Sequence, residues 1–179
     1  MGSEMCIRDS CRDRRRRDGG AGVNAVTIRL GDDDTLVDVD GSRHVIPVGA
    51  LSLSNAEFAS DPPRPEELTN AIGTVVDHLD DMLRVLPAAT EADAVDIVGD
   101  LATVIAAVEF GGTPPLPFRL PRAAAEELFR TVATEPAKER ARNPGLPATA
   151  VDTIVAACCI LVAVMRHLHL DQVDVGRPS

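Results

Sequence analysis

The stretch from Val151 to Leu168 is apolar on nearly every side of the helix that its composition predicts. Such a helix must be covered all round, because a helix at a protein surface carries only one apolar stripe. Its longest unbroken apolar run, Ile154 to Met165, is too short to span a bilayer and ends at Arg166. The chain therefore needs further layers of secondary structure on either side of this helix.

Three segments near the start of the chain alternate apolar and polar residues, as half-buried β-strands do. Short polar turns separate them, so they predict an antiparallel meander of Val26 to Leu30, Thr35 to Val39 and His44 to Val48. Pro47 lacks a backbone N–H, which confines the third strand to a sheet edge or places the proline at the strand's end.

A long amphipathic helix follows the Pro-rich turn from Asp61 to Pro65. Its apolar residues recur at helical spacing and predict one face turned to the core: Leu68, Ile72, Val75, Val76, Leu79, Met82, Leu83 and Leu86.

His78 lies among three aspartates on this helix, which invites interpretation as a metal site or a proton relay. Most of the group falls on the polar side of the stripe, so a solvated acidic face is the favoured interpretation of Asp77, His78, Asp80 and Asp81.

A short strand, Val95 to Val98, breaks at Gly99 and restarts as a helix from Leu101 to about Phe110. A strand-to-helix turn of this kind presents free N–H groups and a helix dipole, which suit phosphate. Further elements follow: a helix opened by Pro121, a short charged helix over Pro136 to Arg142, and a strand over Asp171 to Val175. The order of elements predicts an α/β fold, a mixed sheet with helices on its faces, as in the ribonuclease-H-like lobe that actin-like phosphotransfer proteins use twice.

The first residues are set apart from the rest. The segment from Gly2 to Ser10 resembles the translated end of a sequencing-library adaptor, so residues 1–18 are predicted to be a disordered tail and residues 19–179 a single lobe.

The whole chain carries a net charge of −10, and the lobe is more acidic still. This charge argues against a nucleic-acid partner.

Two cysteines of the lobe, Cys158 and Cys159, stand side by side within the apolar helix. They lack the spacing of metal or redox motifs, which predicts buried, reduced thiols and a cytoplasmic location. No signal peptide or membrane segment is predicted.

Four segments resemble the Ppx/GppA phosphatases, that is, exopolyphosphatases and guanosine-pentaphosphate phosphohydrolases. They are similar in order and spacing, and run over Pro47 to Leu68, Val95 to Phe110, Phe118 to Ala133 and Glu139 to Val175. The resemblance implies that the chain is the second lobe of a two-lobed enzyme with the actin-like ATPase fold. That enzyme would hydrolyse a terminal phosphoanhydride bond with a divalent cation, expected to be Mg²⁺, and a water-activating glutamate. That glutamate would lie in the other half, so no residue of this chain is predicted to be catalytic or to bind metal, and the isolated chain is expected to be inactive. The intact parent would bind a phosphate chain or a nucleotide, and the resemblance allows it to be a homodimer.

Two loops could hold phosphate by the same resemblance. Gly99 and Thr103 match a turn of the type V-G-x-x-G-T, and Gly19, Gly20 and Gly22 lie where a Gly-rich turn is expected, although these three also suit a plain linker.

The first of these turns departs from the family pattern. Ala102 replaces the second glycine, and Asp100 places a negative charge beside the expected anion. A plain strand-to-helix turn with Thr103 as a local cap is an equal alternative.

Two other functions stay open. A non-catalytic relative could keep the fold for nucleotide sensing or protein contact. A free-standing interaction domain would lack the family's first strand and would therefore expose a large apolar patch.

Overall fold

The computed structural model describes residues 25–92 and 94–176. The strands are β1 Ala25–Leu30, β2 Thr35–Val39, β3 Ser42–Ile46, β4 Ala94–Val98, β5 Phe118–Pro121 and β6 Gln172–Val175. The α-helices are α1 Ala50–Glu57, α2 Pro65–Val85, α3 Asp100–Phe110, α4 Arg122–Thr134, α5 Ala137–Arg140 and α6 Ile154–His167. Two 3₁₀ turns cover Pro87–Glu91 and Ala148–Ala150.

The strands form one six-stranded sheet in the order β3-β2-β1-β4-β6-β5. The first three strands pair antiparallel, which confirms the predicted meander, but β3 begins and ends two residues earlier than predicted, at Ser42 and Ile46, so that Pro47 follows it. β4 lies parallel to both β1 and β6, and β5 closes the other edge antiparallel to β6. The mixed sheet predicted from the element order is confirmed.

The pairing register places the apolar side chains of the strands on one face of the sheet. Ile28, for example, lies beside Val37 on one side and Ile97 on the other, and all three are buried. Helices α1, α2, α3 and α4 all contact α6, so the helices form a layer over this apolar face. The opposite face carries exposed polar residues such as Arg29 and Asp96.

The central helix of that layer is α6. Every residue from Ile154 to Met165 is buried, which confirms a helix enclosed on all sides. It begins three residues later than the apolar pattern indicates, because the chain first makes a 3₁₀ turn in which the Ala150 N–H donates to the Pro147 carbonyl at 2.9 Å.

The structure differs from the sequence predictions in several elements. Helix α1 and strand β5 are additional elements, and the Pro121 helix starts one residue later, at Arg122. The family strand expected to be missing would precede Gly19, outside the described residues, so its absence stays a prediction; within the described sheet, β1 lies in the interior between β2 and β4. Four large hydrophobic residues are exposed, each on a different element: Val45, Leu51, Val85 and Phe110. The apolar patch expected of a free-standing domain stays a prediction.

Glu67 fixes the start of α2. Its carboxylate accepts hydrogen bonds from the Ser60 hydroxyl at 2.6 Å and from the Arg64 N–H at 2.8 Å. These bonds, the Ser60 bond first, lower the pKa of Glu67 to about 2. The helix therefore begins on a carboxylate that stays ionised well into the acidic range.

Arg140 is a buried cation that ties the 3₁₀ turn before α6 to the rest of the lobe. Its guanidinium donates to the Val151 carbonyl at 3.3 Å, to the Val132 carbonyl at 3.4 Å, to the Glu135 carbonyl, and to the Asp61 carboxylate at 3.0 Å. These bonds hold the segment before α6 in place.

Within the described ranges, no helix combines the length and apolar character that crossing a membrane would require.

Candidate functional site

A cavity of about 650 Å³ opens where β1 and β4 end. The two strands are parallel neighbours, so their carboxyl ends reach the same edge of the sheet. In open α/β sheets, ligands commonly bind in a crevice outside the carboxyl ends of parallel strands. A volume of this size also falls in the range of small-molecule sites.

The cavity has an apolar part and a polar part. The apolar part consists of Leu30, Leu51, Leu101, Val104, Pro147 and Ala150. Its polar side chains are Arg29, Asp32, Asp100, Thr149 and Thr153, and Gly31 and Gly99 complete the lining.

Gly99 lies at the junction of β4 and α3, where the sequence predicts a phosphate turn. Its backbone has φ 108° and ψ 168°, a conformation open almost only to glycine. A Cβ atom at this position would lie 2.8 Å from the Leu30 carbonyl oxygen, so β1 leaves no room for a side chain. The sequence prediction that Gly99 forms a strand-to-helix turn is confirmed, while its role in phosphate binding stays a prediction.

Thr103, the other residue predicted in this turn, does not line the cavity. Its hydroxyl donates to the Gly99 carbonyl at 3.2 Å, one helical turn back. The bond is local, as the alternative interpretation expects, although the hydroxyl donates to a carbonyl instead of accepting from the N–H of a helix start.

The two departures from the family turn lie in different surroundings. Asp100 is exposed and lines the cavity as the first residue of α3. Ala102 is buried in the core beneath the turn. The negative charge of Asp100 therefore acts on any ligand in the cavity, whereas the methyl group of Ala102 contributes only to core packing.

The start of α3 leaves backbone donors without an acceptor, and two of its residues, Asp100 and Leu101, line the cavity. Among the described residues, no acceptor meets the N–H groups of Asp100, Leu101 and Ala102. The first intrahelical bond runs from the Thr103 N–H to the Gly99 carbonyl at 3.1 Å. The free donors and the helix dipole would favour an anionic or acceptor-bearing group at this point.

The start of α1, which borders the cavity through Leu51, has no such free donors. The N–H groups of Leu51 and Ser52 donate to the Asp32 carbonyl at 2.8 and 3.1 Å, and that of Ala50 donates to the Gly31 carbonyl at 2.9 Å. This close approach requires Gly49, because a Cβ atom there would lie 2.4 Å from the Asp32 carbonyl group. The turn between β1 and β2 thus occupies the helix terminus that could otherwise bind an anion.

Charge in the cavity is weakly negative. Arg29 supplies one positive charge, and Asp32 and Asp100 supply two negative ones. Neither aspartate forms an ion pair with another described residue.

The second predicted loop, Gly19, Gly20 and Gly22, lies outside the described residues and stays a prediction. In the described sheet the first two strands are joined by the turn Gly31 to Asp34, which lines the cavity through Gly31 and Asp32. Sequence reasoning treated this turn only as a separator between strands. The signal that could have found it is a glycine directly after a buried strand, the same pattern that identified Gly99.

Two groups weighed in the sequence lie away from the cavity. Asp77, Asp80 and Asp81 are exposed on α2, which confirms the acidic face, and Asp80 lies 3.0 Å from His167 Nε2. Cys158 and Cys159 are buried, as predicted, and burial raises the pKa of the Cys159 thiol to about 12. These thiols are held in their protonated, unreactive form.

Comparison with known protein families and solved structures shows what the chain is similar to. The model of the Ppx/GppA phosphatase family matches residues 41–177. No curated protein sequence shows significant similarity to the chain.

Solved structures that share its fold include the following three, in each of which 87% of this chain covers 54% of the matched chain. They are the Aquifex aeolicus PPX-GPPA enzyme (19% identity, TM-score 0.76), an exopolyphosphatase-like protein (15%, 0.76) and an exopolyphosphatase from Cytophaga hutchinsonii (14%, 0.71). The chain therefore spans about half the length of these relatives, and their likeness confirms the predicted lobe of the actin-like fold.

Proposed function

The chain belongs to the Ppx/GppA phosphatase family, and on that premise we propose that it forms one half of an enzyme that hydrolyses terminal phosphoanhydride bonds. The proposed substrates are polyphosphate and guanosine pentaphosphate. Water would bond to the terminal phosphorus while the bond from that phosphorus to the bridging oxygen breaks, which releases orthophosphate. The activating glutamate would come from the other half. A cytoplasmic location is part of the proposal, because the buried Cys158 and Cys159 suit a reducing compartment.

The position of Gly99 carries this proposal. The turn that resembles the family's phosphate turn borders the cavity at the carboxyl ends of β1 and β4. The free N–H groups at the start of α3 would hold one phosphate oxygen at the wall of the cleft, and the water-activating group would face it from the other half.

The affinity that this lobe supplies would be small. A helix terminus offers an anion about 0.3–1 kcal/mol, whereas two unit charges about 4 Å apart repel by about 1–4 kcal/mol at the dielectric of a protein surface. Asp100 thus offsets what α3 provides. We assign this lobe a positioning role and expect the binding energy for phosphate to come from the other half.

The family resemblance also implies a divalent cation. The described residues contain no group of three or more histidine, cysteine, aspartate or glutamate side chains placed to hold one. They do not form a metal site by themselves, so the expected Mg²⁺ is proposed only for the intact parent.

Phosphate release by the full-length gene product tests the proposal. With Mg²⁺ present, orthophosphate should appear from polyphosphate or guanosine pentaphosphate, and removal of Mg²⁺ with a chelator should stop it. Absence of release from both substrates, in a folded protein with a cooperative melt, would contradict hydrolysis.

The exposed carboxylates of Asp32 and Asp100 favour a second candidate, a relative that senses nucleotides without hydrolysing them. Calorimetric titration separates the two functions, because a sensor would bind a nucleotide tightly and release no phosphate. Binding accompanied by turnover would favour the enzyme.

A further inference from the structure

We infer that a groove on the polar face of the sheet, the face that carries Arg29 and Asp96, binds a small organic carboxylate. The groove has a volume of about 280 Å³ and is lined by Thr27, Arg29, Leu36, Asp38, Arg43 and Val98. It shares only Arg29 with the cavity beside Gly99. The inference goes beyond the proposed function, because it concerns another class of ligand at another place on the lobe.

Strand pairing places the two arginines at opposite ends of the groove. Arg29 of β1 lies beside Leu36 of β2, and Arg43 of β3 lies beside Asp38, two residues further along β2. Strands about 4.8 Å apart, with a rise of about 3.4 Å per residue, separate the Cα atoms of Arg29 and Arg43 by about 12 Å. Two long side chains can reach toward each other over this distance, and both line the same groove.

Both guanidinium groups have donors left for a ligand. Among the described residues Arg29 forms no ion pair, although most of the other arginines do. Arg43 donates through Nε to Asp38 Oδ2 at 2.7 Å, which leaves its two terminal nitrogens to donate elsewhere. An anion in the groove would therefore meet unused N–H groups from two strands.

Asp38 is the acidic residue of the groove, and both of its oxygens already accept hydrogen bonds. Oδ2 accepts from Arg43, and Oδ1 accepts from the Gly41 N–H at 2.8 Å. These bonds, the Arg43 bond first, lower the pKa of Asp38. The lining residues thus carry two positive charges and one negative charge, on a chain whose net charge is −10. The groove attracts an anion although the chain as a whole is acidic.

Apolar side chains beside the arginines select among anions. Leu36 is half-buried on the strand between the two arginines, and Val98 is the neighbour of Arg29 on β4. A bare phosphate has no apolar surface to place against Leu36, whereas a ring or a branched chain has. A planar carboxylate also matches the fork of a guanidinium group, which can donate two parallel N–H bonds. The combination favours a carboxylate that carries an apolar body.

The volume of the groove limits the size of this ligand. A space of about 280 Å³ equals that of about nine water molecules at about 30 Å³ each. One ring with its carboxylate fits such a space, which makes benzoate a suitable probe.

Titration of the ¹⁵N-labelled chain with benzoate tests the inference. The amide signals of Thr27, Leu36 and Asp38 should shift and give a dissociation constant of about 1–10 mM. Benzyl alcohol keeps the ring without the charge, and inorganic phosphate keeps a charge without the ring. Each should bind at least about threefold more weakly than benzoate.

Arg43→Gln is the most specific variant, because Arg43 does not line the cavity beside Gly99 and glutamine keeps an N–H donor for Asp38. It should weaken benzoate binding about threefold to fivefold, and Arg29→Gln should do the same. Arg142→Gln is the matched control, since Arg142 is exposed and also forms no ion pair with a described residue. It should leave the affinity for benzoate unchanged.

A urea melt of each variant verifies that it is folded before titration. The inference is overturned if benzoate shifts none of the three amide signals, if inorganic phosphate or benzyl alcohol binds as tightly as benzoate, or if Arg43→Gln binds benzoate as well as Arg142→Gln does. Failure of the parent to hydrolyse phosphoanhydrides would alter none of these results.

Discussion

Replacement of Gly99 by alanine probes the close contact that shapes the cavity. The residue has φ 108° and ψ 168°, and the new Cβ atom would lie 2.8 Å from the Leu30 carbonyl oxygen. Backbone strain of this kind costs about 1–3 kcal/mol, and the contact with a fixed strand carbonyl adds to it. We expect Gly99→Ala to lower the free energy of unfolding by at least about 2 kcal/mol and the Tm by about 4–8 °C.

Gly73→Ala is the matched control. Gly73 lies within α2, and a Cβ atom there would meet nothing within 4 Å. Alanine should therefore stabilise the protein by about 0.5–1 kcal/mol, because glycine is the poorer helix former. Urea denaturation followed by circular dichroism measures both variants. If Gly99→Ala is as stable as the unmodified chain, the contact between the start of α3 and β1 is not as described.

Three further predictions concern the lobe around the site. Arg140→Ala should lower the free energy of unfolding by about 3 kcal/mol, because it leaves buried carbonyls without a donor. Arg142→Ala, at an exposed position, is the control and should change that free energy by less than about 0.5 kcal/mol. Equal losses for the two variants in denaturant melts would refute this prediction. Since the pKa of Glu67 in the folded state, about 2, lies below its ordinary value of 4.5, its stabilisation is complete above pH 4.5 and is lost as the pH falls toward 2. Glu67→Gln should therefore flatten the fall in Tm between pH 5 and pH 3, and an unchanged slope would count against the carboxylate's role. Because their thiols are buried, Cys158 and Cys159 should be inert to iodoacetamide at pH 8 until the chain is unfolded, as mass spectrometry of the peptides that contain them would reveal. Rapid labelling of these two cysteines in the native protein would contradict their burial.

Sequence patterns predicted the elements whose signal is local. The alternation in β1 and β2, the stripe on α2 and the break at Gly99 each lie within one element or one turn. Apolar residues on every side of α6 also predicted its burial. These predictions succeeded because a period of 2.0 or 3.6 residues reflects which face of an element meets the core.

The elements that sequence reasoning missed carry weak local signals. Helix α1 has only eight residues, two of them buried, so its apolar stripe is short. Strand β5 has four residues and ends in Pro121, which on its own indicates a helix start.

Sequence patterns identified only part of the site. Gly99 was found because a strand, a glycine and a helix follow one another directly. The contribution of Gly31 and Asp32 depends on the parallel pairing of β1 with β4, two strands separated by more than sixty residues. The hydrogen bonds from the Leu51 and Ser52 N–H groups to the Asp32 carbonyl are likewise tertiary contacts. No local pattern reports such contacts.

Amide chemical shifts of the ¹⁵N-labelled chain test the central claim, that ligands bind where β1 and β4 end. On titration with tripolyphosphate and Mg²⁺, the shifts should concentrate on Gly31, Gly99, Asp100 and Leu101, while Arg119 in β5 should stay unchanged. Shifts confined to the arginine-rich residues before Gly19, or spread evenly over the lobe, would contradict the claim.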